Sequence, residues 1–388
     1  MLTNWRQELP ITEIIQWRRY LHQHPELSFK EFETSNFIYT LLSSFPNLDV
    51  SRPTKTSVVA ILKGKQHGKT IALRADIDAL PITEEADVEF KSSTTGVMHA
   101  CGHDAHAAML LGAAKILSGM PEVLSGTIKF IFQHAEEVPP GGAKELVKLG
   151  IMDQVDYVFG MHVVTGAPAG MIGTGVGAMS AANDIFELTI QGLGSHGSTP
   201  ENSIDPITIG AEVISNLNNI VSRNIGAFKN AVLSFGQFSS GDSFNAIPNT
   251  ATIKGTVRTT DSTTRQQIKK RIYEVSEHIT KAYNATIEID WTDGYSAVIN
   301  NAETTEIVRC AANKIVGEKA QITVPTLMGA EDFSAYSDVT KGSFFYLGAG
   351  VEEEGCGYSA HHPKFNINEK SLFVGTQMHV QIVLDLLT

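Results

Sequence analysis

At 388 residues the chain is too long for one ordinary core, and a prior of about 150 residues per domain makes two or three domains the expectation. Its composition, 42% hydrophobic and 19% charged, is that of a globular protein, and no stretch reaches the roughly 18 uninterrupted apolar residues of a membrane span. A formal charge of −12 without any Lys/Arg-rich run argues against nucleic acid, whose phosphates demand a basic patch, and points to a small substrate.

The segment Met1 to Glu8 lacks the basic cluster and apolar core of a secretory signal, so the cytoplasm is the expected location. From Ile11 to Leu42 apolar residues recur at helical spacing, interrupted at His24-Pro25, where proline disfavours the preceding helical turn; two helices are predicted. The β-branched runs Ser57–Leu62 and Thr70–Leu73 read as strands. They are followed by a helix over Ala105–Leu117, a strand over Gly126–Gln133, a helix over Ala143–Leu149 and a buried strand over 157–161. This alternation predicts an α/β catalytic domain, a central sheet flanked by helices.

The Gly-rich stretch Gly166–Gly177 shows neither period and reads as a connection ending near residue 180. A second module follows, with a strand over 185–191, a helix over 203–221, strands over 231–238 and 250–258, a helix over 261–282 and a strand over 285–291. That βαββαβ order is the ferredoxin-like plan. Helix-then-strand alternation returns with a helix over 303–316, a strand over 343–347 and a closing helix after Glu369. The expected organisation is a discontinuous catalytic domain, 1–180 and 294–388, interrupted by an inserted α+β domain over 181–293.

Three cysteines, at 101, 310 and 356, make a poor disulfide framework and fit a reducing compartment, whereas 13 histidines are a generous supply. Met98-His99-Ala100-Cys101-Gly102-His103-Asp104-Ala105-His106 packs three imidazoles, a thiol and an acid before a predicted helix. In an extended backbone Cys101 and His103 share a face, and thiolate with imidazole suits zinc or a neighbouring metal; taken alone, the pair reads equally well as a buried thiol and a helix cap. Glu136 and Glu137 follow an apolar strand, where adjacent carboxylates repel unless a cation lies near. One of them can ligate while the other faces a water, the arrangement of general-base hydrolysis; a solvated strand end is the plain alternative. His162 follows the strand 157–161, at the edge where open α/β sheets build their sites, and His361-His362-Pro363 offers a further imidazole on a loop.

Taken together, these segments resemble the M20 metallopeptidases, in particular the aminoacylase, hippurate hydrolase and auxin-conjugate amidohydrolase branch. The matching pieces span nearly the whole chain: Arg18 to Ser28, Leu73 to Pro81, Met98 to His106, Gln133 to Gly142, Gly160 to His162, Met328 to Phe333 and His361 to Phe365. The resemblance implies a zinc-exopeptidase-like catalytic domain with a lid and dimerisation insert. It also implies two divalent ions, Zn or Mn with Co or Ni as alternatives, on Cys101, His103, Glu137, His162 and His361. His361 is preferred over His362 because the family's last ligand stands two places before the proline.

By the same resemblance Glu136 is the base, then the acid toward the leaving amine, and Asp78 orients a ligand. The peptidase branch has His-x-Asp where this chain has Asp76-Ile77-Asp78, so Cys101 compensates as a ligand. In the insert, Gly194 to Pro200, Phe244 to Asn249 and Gly255 to Arg258 also match. They imply His196 on the substrate carbonyl, in its own or the partner subunit's site, and Asn245 and Arg258 on the substrate carboxylate. Guanidinium chemistry agrees for Arg258; turn stabilisation is the plain alternative for His196 and Asn245.

The expected activity is hydrolysis of N-acyl amino acids to a carboxylic acid and a free amino acid by a homodimer or higher homo-oligomer assembled through the inserted domain. The alternatives are a dipeptidase, aminopeptidase or carboxypeptidase of the same fold, a Cys101-nucleophile hydrolase, and a binding protein without catalysis.

Overall fold

A computed structural model describes residues 5–388; Met1 to Asn4, half of the segment read for a leader signal, lie outside the described residues. The chain falls into two compact units. The first runs to Met179 and takes up Val298–Pro325 and Asp332–Thr388; the second is Ser180–Ala297 with Thr326–Glu331.

The first unit is built on an eight-stranded sheet in the order Leu48–Ser51, Val58–Lys63, Ser125–Gln133, Gln66–Asp76, Tyr157–Val164, Lys341–Gly348, Ile172–Thr174, Gln321–Thr323. Strand alternation divides its side chains between two cores. Ile71, Leu73, Phe130, Phe132, Phe159 and Leu347 face one cluster with Leu110 and Ile382, while Ala72, Ile131, Val158 and Phe344 face the other with Leu146 and Tyr336. The helix His103–Ser118 is buried at every position except Lys115, as its alanine-rich, all-round apolar sequence requires.

Four neighbouring strands run parallel: Ser125–Gln133, Gln66–Asp76, Tyr157–Val164 and Lys341–Gly348. Their C-terminal ends therefore emerge along one edge, where the chain leaves the hydrogen-bonded ladder and its side chains are free to converge on a ligand.

The break at Pro25 separates the helices Ile11–Gln23 and Phe32–Ser44. Two expectations are corrected. The stretch read as a featureless connection contains the strand Ile172–Thr174, which its flanking glycines conceal and its pairing with Gln321–Thr323 supports. The helix expected over 203–221 divides at Asn218 into Pro206–Leu217 and Asn219–Asn224.

The second unit is a four-stranded antiparallel sheet in the order Ala231–Ser240, Thr250–Thr259, Ala182–Gln191, Thr286–Asp293. Numbering those strands along the chain gives 2-3-1-4, the order of a ferredoxin-like sheet. Phe186, Leu188 and Ile190 pack with Ile209, Val213, Ile268 and Ile272 of its helices. The helix Ser262–Ala282 is started by Asp261, whose carboxylate accepts the Thr264 N–H at 2.9 Å. Among the described residues no helix is long and apolar enough to cross a membrane.

Candidate metal centre

The first unit gathers Cys101, His103, Glu136, Glu137, His162 and His361 at the C-terminal edge of its sheet. Three groups of possible ligand atoms each lie within 4.8 Å of one another: Cys101 with His103 and His162, Cys101 with Glu137 and His361, and His103 with Glu136 and Glu137. Cys101 and His103 share members across these groups, so the donors form one continuous cluster.

The backbone that delivers them differs from the extended segment expected. Cys101 lies in a turn and His103 is the first residue of its helix, joined by Gly102 at φ 86°. A left-handed residue there turns the two side chains inward, and only glycine fits, because a Cβ would lie 2.4 Å from Val163 Cγ2. His162 lies within its strand, which continues to Val164 rather than ending at 161. His361 takes φ 67° and anchors its loop by donating its N–H to Ala100 O at 2.8 Å.

Hydrogen bonds fix which imidazole nitrogen is left for a metal. His103 Nδ1 donates to Asp78 Oδ1 at 3.1 Å, and His162 Nδ1 donates to Val163 O at 2.7 Å, so each ring turns a bare Nε2 inward. His162 Nε2 lies 3.3 Å from Cys101 Sγ, and His361 Nε2 lies 3.3 Å from Glu137 Oε1. His103 Nε2 and Glu137 Oε1 are both buried and 3.9 Å apart, too far for a hydrogen bond between them, and His103 Nε2 has no hydrogen-bond partner. Buried polar atoms are seldom left unsatisfied. A cation between them resolves the cost, and a donor set of one thiolate, three imidazoles and a carboxylate suits borderline-soft divalent ions.

The electrostatics agree. Burial and the Glu137 carboxylate push the Cys101 thiol up. Burial opposes charging of His103, yet Asp76, Cys101 and Asp78 raise it well above the ordinary imidazole range. Hydrogen bonds to Cys101 and Glu137 push His361 up to about 10, whereas burial and the neighbouring His106 bring His162 down to about 3. The cluster is anion-rich and favours added positive charge.

Residues 72–385 match the pattern of Peptidase family M20/M25/M40. The chain belongs to that family. An N-acyl-L-amino acid amidohydrolase of Geobacillus stearothermophilus is 50% identical over 292 residues, 75% of this chain and 79% of its own. Thermostable carboxypeptidase 2 of Saccharolobus solfataricus is 39% identical over 375 residues, 96% of this chain and 94% of its own. Among solved structures, the Bacillus subtilis YXEP protein, a dinuclear metal binding peptidase from the M20 family, superposes with a TM-score of 0.85 at 35% identity, covering 97% of this chain and 98% of its own. This M20 chain is accordingly a metal-binding hydrolase of amide bonds.

Behind the M20 centre stands a buried network whose members the sequence reading quoted without assigning roles. Asp76 Oδ1 accepts from His106 Nδ1 at 2.6 Å, and His106 Nε2 accepts the Val163 N–H at 2.9 Å, which pins the strand beside His162. Arg74 donates to Asp76, Gln133 and Asp332 at 2.7, 2.8 and 2.7 Å, tying three elements together. The available signal was spacing: His106 is three residues beyond His103 and shares its helix face. Asp78 has a larger part than orienting one imidazole, because its Oδ2 also accepts the Glu137 N–H at 3.0 Å and the Ser28 hydroxyl at 2.7 Å.

The remaining expected residues lie in the second unit. His196 is exposed on a short strand opposite Ala246, and the Gly197 N–H donates to Asn245 O at 2.8 Å, so His196 and Asn245 adjoin. His196 Nδ1 accepts the Ser198 N–H at 3.1 Å, which leaves Nε2 as the protonated nitrogen. Arg258 is half-buried on the strand Thr250–Thr259 and donates to Thr256 Oγ1 and to Val257 O.

Proposed function

We propose that this enzyme hydrolyses the amide bond of N-acyl amino acids, releasing a carboxylic acid and a free amino acid, with two divalent cations as cofactors. Cys101, His103, Glu137, His162 and His361 would hold the pair, Zn or Mn foremost and Co or Ni as alternatives. The observation that carries this reading is the convergence of the bare Nε2 atoms of His103 and His162 with the Cys101 thiol and a buried Glu137 oxygen.

When bound, the cations supply Lewis acidity that lowers the pKa of a water and polarises a carbonyl. The residues do the rest. Glu136, 7% exposed and beside His103 and Glu137, takes a proton from the attacking water onto its carboxylate. It then delivers that proton to the amide nitrogen as the C–N bond breaks. His196, through Nε2–H, donates to the carbonyl oxygen as negative charge develops there, in its own or the partner subunit's site. Arg258 and Asn245 hold the substrate's carboxylate, with a guanidinium suited to paired hydrogen bonds. Asp78 fixes His103 and the Glu137 backbone from behind.

The relative named as an N-acyl-L-amino acid amidohydrolase supports the substrate class; the one named as a carboxypeptidase keeps peptides as the second reading. A Cys101 nucleophile is disfavoured, because burial and Glu137 push its thiol up, the opposite of an activated thiolate. We further propose a cytoplasmic homodimer formed through the Ser180–Ala297 unit. The three free cysteines support a reducing compartment.

The test is hydrolysis of N-acetyl, N-benzoyl and indole-acetyl amino acids beside short peptides, followed by chromatography with Mn or Zn present. N-acyl amino acids should show the higher kcat/KM. A uniform preference for peptides would move the enzyme to the peptidase reading.

A further inference from the structure

Glu31 is fully buried at the start of the helix Phe32–Ser44, in the same unit as the metal centre, and no role described above uses it. Its Oε1 accepts two backbone N–H groups, from Phe29 at 2.9 Å and from Ala135 at 2.8 Å. Both donors sit in left-handed backbone, Phe29 at φ 66° and Ala135 at φ 49°, a region that side chains other than glycine's seldom adopt without support. Ala135 immediately precedes Glu136 and Glu137.

Two residues further on, the Glu137 N–H is held by Asp78 Oδ2 at 3.0 Å, the oxygen that also takes the Ser28 hydroxyl. The amides on either side of Glu136 are thus each fastened to a buried carboxylate. Both fastenings lead back to residues 28–31, the loop that follows the break at Pro25. If Ala135 relaxed to an ordinary φ, the side chains of the next two residues would leave along different directions.

We propose that Glu31 is a positioning residue: by accepting the Ala135 N–H it holds the left-handed turn that aims Glu136 and Glu137 into the metal centre. The proposal rests on the reading of Glu136 as base and Glu137 as ligand. What it requires of residue 31 is an acceptor oxygen at the reach of a glutamate, not a negative charge. Glutamine keeps that oxygen, leucine removes it, and aspartate draws it back by one methylene.

The experiment compares the wild type with Glu31→Leu, Glu31→Asp and Glu31→Gln. It measures kcat and KM on N-acetyl-L-methionine with Mn, and Mn affinity by calorimetric titration of the metal-free proteins. Glu136→Gln and Glu137→Gln serve as references. Glu31→Leu should lower kcat about tenfold or more with KM changed far less, and should weaken Mn binding about tenfold. Glu31→Asp should fall between, and Glu31→Gln should restore both quantities to near the wild-type values.

Wild-type kcat and Mn affinity in Glu31→Leu and Glu31→Asp would overturn the proposal, as would a Glu31→Gln as impaired as Glu31→Leu. If Glu31→Leu does not fold, Glu31→Asp decides by the same two outcomes. Unchanged turnover in Glu136→Gln together with unchanged Mn binding in Glu137→Gln would overturn the reading beneath the proposal, and the proposal with it. That failure is recognised by the reference variants alone.

Discussion

A Cβ placed on Gly102 would lie 2.4 Å from Cγ2 of Val163. One contact therefore joins the turn that carries Cys101 and His103 to the strand that carries His162. Gly102→Ala meets both this clash and a φ of 86°. It should destabilise the fold by roughly 1–3 kcal/mol and lower the bound metal as the turn shifts. Thermal unfolding and elemental analysis of the purified variant check both effects.

Glu136→Gln keeps the size of the side chain and removes its capacity to accept a proton. Metal content should stay at the wild-type level while kcat falls by several orders of magnitude, as measured on an N-acyl amino acid. Retained turnover would show that another group moves the proton.

Asp78→Asn tests how the ligands are held. Asp78 serves His103 on one oxygen and Glu137 on the other, so loss of its charge should raise the metal Kd by about 10–100-fold while the fold persists. Competition against a chelating dye measures the shift.

Much of this architecture was legible beforehand, because long amphipathic helices and β-branched strands carry their period in the sequence. Glu136 and Glu137 announced a cation through their adjacency, and Cys101-Gly102-His103 through its donors. The strand Ile172–Thr174 was not legible, since three residues among glycines show no alternation and depend on a partner strand about 150 residues away. The conformation of Gly102 and the clamp made by Glu31 were likewise hidden. A left-handed backbone and a hydrogen bond across the fold leave no local pattern, and an isolated Glu in a loop looks like any solvated acid.

Glu31 also predicts a pH dependence. Burial, reinforced by the Asp78 carboxylate, pushes its carboxyl up to about 7 from an ordinary 4.5. A raised carboxyl stabilises the fold in its protonated form, so the contribution is fully present below about pH 4.5 and is lost as pH rises through about 7. In the metal-free protein, unfolding free energy relative to Glu31→Gln should decline over that interval by on the order of 2–3 kcal/mol. Parallel curves for the two proteins in urea titrations would contradict it.

The most direct test of the centre itself is anomalous diffraction from crystals of the protein loaded with Mn or Zn. Two peaks per chain are expected, with Cys101 Sγ, His103 Nε2, His162 Nε2, His361 Nε2 and a Glu137 oxygen at bonding distances of about 2.0–2.4 Å. Ions bound elsewhere, or a centre in which Cys101, Glu137, His162 and His361 touch no common pair of ions, would contradict the account.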